Sequence, residues 1–135
     1  MKKNVFAADQ ELIRALIQRS SPVTCNQNTV LFTQGQVASG LFILQSGEAE
    51  LMMKSRPGKT VMCLHAASGS ILGGPAICAN APYTLTAIVR EGSDVRFVTR
   101  EDFERAIQAE PQLAIKVFQL VASEVVAARR ALTEM

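Results

Sequence analysis

Two long stretches of this chain carry no aspartate, glutamate, lysine or arginine: Ser20 to Gly47 and Thr60 to Val89. Backbone that is buried with such stretches must find its hydrogen bonds inside the fold. The apolar runs within them are short. Val30-Leu31-Phe32, Leu41-Phe42-Ile43-Leu44 and Thr60-Val61-Met62-Cys63-Leu64 each end near glycine or a polar turn. Runs of this kind read as strands, and many short strands between glycine turns predict a sandwich or roll. Ser55-Arg56-Pro57-Gly58-Lys59 predicts a hairpin turn from the strand at 48–54 into its return at 60–64. Gly69 to Pro75 mixes strand and tight turn, and 85–89 and 95–98 are the last two strands.

Charge gathers instead at the two ends and around 48–59 and 90–110, which predicts helices flanking a weakly charged β body. Leu12, Ile13, Leu16 and Ile17 share one face of a helix over 9–19, ended by Ser20-Ser21-Pro22. The roll then occupies 23–98, and the C-terminal helices 99–134, all within one domain of 135 residues. Thr99 and Asp102 stand at capping-box spacing and open the first C-terminal helix. Pro111 restarts the chain as a second helix of about 24 residues, about 36 Å long. Ala114, Val117, Val121, Val125, Ala128 and Leu132 recur at intervals of three and four, as in a coiled-coil seam. That seam either packs on the chain's own body or joins a second copy. The helix is long for so small a domain, which favours a homodimer through Val117, Val121, Val125, Ala128 and Leu132.

Several function classes fall away. Hydrophobic residues make up 48% and charged residues 19%, so the chain is not intrinsically disordered. A formal net charge of +2 is too mild to argue for nucleic acid or an anionic membrane. No uninterrupted apolar run reaches about 18 residues, so no bilayer span is expected. The Met1-Lys2-Lys3 start meets Asp9 and Glu11 without an apolar stretch, so no signal peptide is expected either. Cys25, Cys63 and Cys78 are dispersed and lack a Cys-x-x-Cys pair, which predicts buried, reduced thiols in a cytoplasmic protein. His65 is the only histidine, so a metal centre has too few ligands and no catalytic pair is singled out. It reads as a strand-end residue near a turn, and no cofactor is expected.

The order helix, glycine-punctuated strands, short helix, long helix resembles the cyclic-nucleotide-binding domain of CRP/FNR-type transcription regulators. The residues that carry the resemblance are Asn28 to Gly35, Gly40-Leu41-Phe42-Ile43-Leu44-Gln45-Ser46-Gly47, Gly69-Ser70-Ile71-Leu72-Gly73 and Val98 to Phe103. It implies a mainly β fold, a jelly-roll-like β-roll with a short N-terminal and a long C-terminal helix. It also implies a phosphate-binding cassette, in which a short helix and backbone N–H groups face the cyclic phosphate. In the family an arginine neutralises the phosphate and a glutamate takes the ribose hydroxyl.

Aligned with that cassette, Gly73 keeps the glycine, Gly74 stands in place of the glutamate, and Pro75 removes a backbone donor. Ala76 keeps the alanine, Pro82 the proline and Thr84 the hydroxyl, while Tyr83 replaces the arginine. Losing the cation forfeits about 1.5–3 kcal/mol plus a desolvation penalty, and losing the glutamate about another 1 kcal/mol or more. Together these predict nucleotide binding weaker by roughly a hundredfold to ten-thousandfold. Arg129, with Arg130, either supplies a replacement cation or is a solvated pair near a helix C-terminus. A charge-free pocket lined by types such as Met62, Leu64, Ile71, Ala76, Cys78 and Tyr83 would suit an uncharged ligand, or has filled with side chains.

Three functions follow from this reading. The first is a non-catalytic sensor and dimerisation domain of a CRP/FNR-like regulator that does not use cAMP or cGMP in the usual way. Its effector is then a small molecule of unknown identity. The second is a standalone protein-interaction domain without a ligand. The third, an enzyme on a related β-roll such as a metal-dependent cupin, is disfavoured by the single histidine. No segment up to Met135 has a recognition-helix pattern, so this chain alone is not expected to bind specific DNA.

Overall fold

Eight strands, four helices and a short 3-10 turn make up the computed structural model, which describes residues 4–133. Helix α1 (Gln10–Ile17) precedes β1 (Ser21–Val23), β2 (Thr29–Phe32), β3 (Gly40–Ser46), β4 (Ala49–Lys54), β5 (Thr60–Ala66) and β6 (Ser70–Leu72). Then come α2 (Gly74–Ala79), β7 (Thr86–Val89), β8 (Asp94–Thr99) and α3 (Arg100–Ala109). The chain closes with the 3-10 turn Pro111–Leu113 and α4 (Ala114–Thr133). The strands form two four-stranded sheets, in the orders β1-β8-β3-β6 and β2-β7-β4-β5, with every pairing antiparallel. This is the expected β-roll.

The uninterrupted apolar run Leu41–Leu44 is explained by burial on both faces of β3. Leu41 turns toward Leu12, Leu16 and Phe103 of α1 and α3. Its neighbour Phe42 turns inward and packs its ring on Phe32 and Phe97 at 5.7 and 5.0 Å between centroids. A side chain changes face at each step along a strand, so only a strand covered on both sides reads as continuous apolar sequence.

Several expected boundaries shift, among them the start of the last helix, whose first turn Pro111–Leu113 is 3-10. Helix α1 stops at Ile17 rather than 19, because residues 18 and 19 form a closing turn in which Arg19 N–H donates to the Leu16 carbonyl. Pro22 then lies inside a strand, pairing with Arg96, where a proline is tolerated because β1 is the edge of its sheet. At Thr99 only half of the capping box forms. The Thr99 hydroxyl accepts from the Asp102 N–H at 3.0 Å, while the Asp102 carboxylate turns to Arg105. The cysteines also divide: Cys25 is buried as expected, whereas Cys63 on β5 and Cys78 on α2 are exposed.

Helix α4 lays one side against α2 and β5. Lys116 at its start reaches Asp9, the N-cap of α1, at 3.2 Å. The segment Pro111–Thr133 is long and apolar enough to cross a membrane by length and composition alone, with mean hydropathy 1.2. The final residues of the expected helix, 134 and 135, lie outside the described ones.

Candidate functional site: a cavity under the terminal helix

The stretch Gly73-Gly74-Pro75 gives no periodic signal, yet a helix starts there. Gly73 caps it with φ of 92°, a left-handed geometry suited to glycine. Pro75 falls in the first turn, where its missing N–H costs nothing. Asn80, with φ of 52°, closes the helix in the same left-handed region. From outside, Arg100 braces α2 by donating to the Ile77 carbonyl at 3.1 Å and to the Ala38 carbonyl at 2.9 Å. No sequence pattern marked Arg100, because its charge sits at the first position of α3 and reads as an ordinary helix start.

Between this cassette, the inner face of the roll and α4 lies a cavity of about 260 Å³. The roll contributes Phe32, Leu51, Met53, Met62 and Leu64. The cassette contributes Gly73, Pro75, Ala76, Tyr83 and Thr84, and α4 closes the other side with Glu124, Val125, Ala128, Arg129 and Leu132. Of the lining expected from sequence, Met62, Leu64, Ala76 and Tyr83 are there. Ile71 and Cys78 are not, because Ile71 on β6 and Cys78 on α2 face the opposite side of the cassette, toward Leu12, Leu41 and Phe103.

The expected cassette residues likewise divide. Gly73, Ala76, Tyr83 and Thr84 border the cavity, whereas Gly74 faces α4. A Cβ at Gly74 would stand 3.5 Å from Glu124 Oε2 and 3.7 Å from Val121 Cγ2. Tyr83 is buried. Its ring stacks on Phe32 at 4.1 Å between centroids, and its hydroxyl donates to the Gly40 carbonyl at 2.7 Å. The backbone holds it there: Tyr83 N–H donates to the Gln36 carbonyl, and Gly35 N–H donates to the Tyr83 carbonyl. The tyrosine ring therefore fills space beside Gly73, where its Cε1 comes to 3.0 Å of a Cβ position.

Sequence reasoning passed over Glu124. It is only 7% exposed, and its Oε2 is buried with no hydrogen-bond partner. Burial pushes its carboxyl up to about 8, because the charged form is poorly solvated there. The signal was present in the spacing: Leu113, Val117, Leu120, Glu124 and Ala128 follow one helical face, and the first four of these turn toward the body.

The outer side of α4, down to the cavity's edge at Val125 and Leu132, stays apolar and open. Ile115, Phe118, Val125, Val126 and Leu132 are all exposed, Phe118 by 67%. Ile115, Phe118, Ala122, Val125 and Leu132 keep heptad spacing, so the open row is turned from the expected one. Val125 and Leu132 belong to both rows; Val117 and Val121 pack against the body instead. His65 sits apart from the cavity, with its Nε2 3.9 Å from Glu48, which also pairs with Arg90 at 2.7 Å. Among the described residues no group of histidine, cysteine and carboxylate side chains could hold a metal ion.

Comparison with known proteins agrees with this geometry. The cyclic nucleotide-binding domain family matches residues 22–110. The chain belongs to that family. Among solved structures, the domain superposes on the catabolite activator protein of Thermus thermophilus with a TM-score of 0.79 at 19% identity. That match covers 93% of this chain and 59% of the other. The c-di-GMP-responsive global regulator CLP of Xanthomonas campestris gives 0.76 at 14% identity, covering 93% and 62%. Oxidised CprK in complex with o-chlorophenolacetic acid gives 0.77 at 14% identity, covering 100% and 55%. The domain thus spans about three-fifths of the length of these structures, and shares their fold. No curated protein sequence matches the chain.

Proposed function

We propose that the chain is the sensing and dimerisation part of a CRP/FNR-type transcription regulator, acting in the cytoplasm without catalysis, and that it does not use cAMP or cGMP in the family's way. The observation that carries this is Tyr83. It is buried against Phe32 and spends its hydroxyl on the Gly40 carbonyl, which supports reading it as the neutral replacement of the phosphate arginine. A cyclic phosphate entering there would meet an aromatic ring instead of a guanidinium, and burying an uncompensated anion is costly. DNA reading is assigned to no segment of this chain.

Dimerisation would use the open row Ile115, Phe118, Ala122, Val125 and Leu132, which is apolar and regularly spaced. The cavity touches the same helix through Val125 and Leu132, so a guest and a partner would share α4. That is a physical route for a ligand to bias assembly.

Isothermal titration with cAMP and cGMP tests the reading. Expected is no saturable heat up to about millimolar nucleotide, as the lost contacts imply. A micromolar dissociation constant that disappears in Arg129→Ala would replace it with a second reading, favoured by Arg129 at the cavity's lip, in which that guanidinium takes over the phosphate. A standalone interaction domain remains the outcome if no small molecule of any class binds while the chain still associates.

A further inference from the structure

We propose that the cavity receives an uncharged, mainly apolar molecule about the size of one ring with a short arm, whose single polar head, a hydroxyl or a carboxamide, hydrogen-bonds to the Glu124 carboxyl. This rests on the reading that a cyclic nucleotide is not the guest, and it names what is.

Four observations converge. The first is size. An apolar cavity of about 150 Å³ holds one benzene ring, and this one is about 260 Å³. The second is the wall: Phe32, Leu51, Met53, Met62 and Leu64 present carbon and sulfur on the roll side. The third is supply and demand of hydrogen bonds. Tyr83 is already engaged with Gly40, and Glu124 Oε2 is the one buried side-chain polar atom among the described residues without a partner. Orphaned buried polar groups are uncommon and call for an explanation. A guest bearing one complementary head would meet this carboxyl from the cavity, whose wall Glu124 lines.

The fourth observation is charge. The titratable groups near Glu124 are Cys78 on α2, outside the cavity, whose thiol is pushed up by partial burial and then by the Glu124 charge, and Arg129 further along α4. Tyr83 lies across the cavity. None of them forms an ion pair with Glu124 among the described residues. With its carboxyl pushed up to about 8, Glu124 is a neutral acid at neutral pH, able to donate and accept at once. A hydroxyl or carboxamide answers both roles. An amine would need Glu124 to ionise and would enter past the Arg129 guanidinium. An anion would meet the carboxyl itself.

Methyl NMR of the intact chain labelled at its methionines tests this, because Met53 and Met62 line the cavity. The probes are benzyl alcohol, toluene, benzylamine and cAMP. Benzyl alcohol is expected to shift the Met53 and Met62 methyls saturably, with toluene about fivefold to tenfold weaker, the factor of one net hydrogen bond. Glu124→Gln, whose amide also donates and accepts, keeps that order; Glu124→Leu removes it while still admitting toluene. Raising the pH through about 8 weakens benzyl alcohol in the parent chain and leaves it unchanged in Glu124→Gln. Methyls indifferent to benzyl alcohol, equal affinity for toluene, or tightest binding of benzylamine would each overturn the inference. The cAMP arm separates the two readings. Saturable cAMP beside bound benzyl alcohol sinks only the proposed function, and silence from both probes sinks only the neutral guest.

Discussion

The cassette helix α2 divides two apolar regions that look alike in composition and differ in packing. On one side, Leu12, Leu16, Leu41, Ile71, Phe103 and Leu120 meet almost without gaps, leaving about 10 Å³. On the other, Phe32, Leu51, Met53, Met62 and Leu64 surround about 260 Å³. Native interiors are close-packed, with few voids larger than a water molecule. The contrast teaches that apolar residue type does not decide whether a space is filled. On the roll side α4 bridges from α2 to β5, and Glu124 stands in the wall of the space left beneath it.

The comparison breaks most sharply by truncation. Leu41→Ala, on the filled side, should lose about 2–5 kcal/mol of stability in urea unfolding. Leu64→Ala, on the open side, should lose less than half of that, because part of its surroundings is already empty. Equal losses would show that the two sides pack alike. The next effect is on pH. Glu124 takes up its proton in the folded chain at about 8, against 4.5 when unfolded. Between those values the folded state holds a proton the unfolded state has lost, so stability falls as pH rises, by at most about 1.4 kcal/mol per unit. Glu124→Gln should flatten that slope from pH 5 to 8, as measured by chemical denaturation across pH.

Two smaller effects sharpen the picture. Tyr83→Phe keeps the ring on Phe32 and deletes the bond to Gly40, which should cost about 1 kcal/mol by the same urea measurement. Phe118→Lys, on the open row of α4, should move monomer stability by no more than about 0.5 kcal/mol. Its expected effect is on assembly: sedimentation should show a dimer weakened or lost. A parent chain that sediments as a monomer at high concentration would remove the role given to that row.

The strands were legible because each charge-free run carries its own punctuation, as at Gly40–Ser46 between turns. Pro22 misled because a proline reads as a boundary, whereas at a sheet edge it needs no ladder partner for its missing N–H. Helix α2 was invisible to periodicity. It is six residues long, is capped by a glycine backbone and depends on Arg100 for support from elsewhere in the chain. Met62, Leu64, Ala76 and Tyr83 could be placed in the cavity once the resemblance to the family had located a pocket beside the cassette. Ile71 and Cys78 could not, since only the path of α2 decides which side of the cassette they join. Glu124 escaped because a charged residue in a long helix is ordinarily assigned to water. Its alignment with Leu113, Val117 and Leu120 was the counter-signal.

The approach of Gly74 to Glu124 also limits what position 74 can carry. A glutamate there would project its side chain toward Oε2, which stands only 3.5 Å from the first carbon. Two acids would then crowd one dry space, and one of them would have to move or stay protonated. An acidic side chain at 74 and the acid on the terminal helix therefore exclude one another, and only a chain without the second has room for the first.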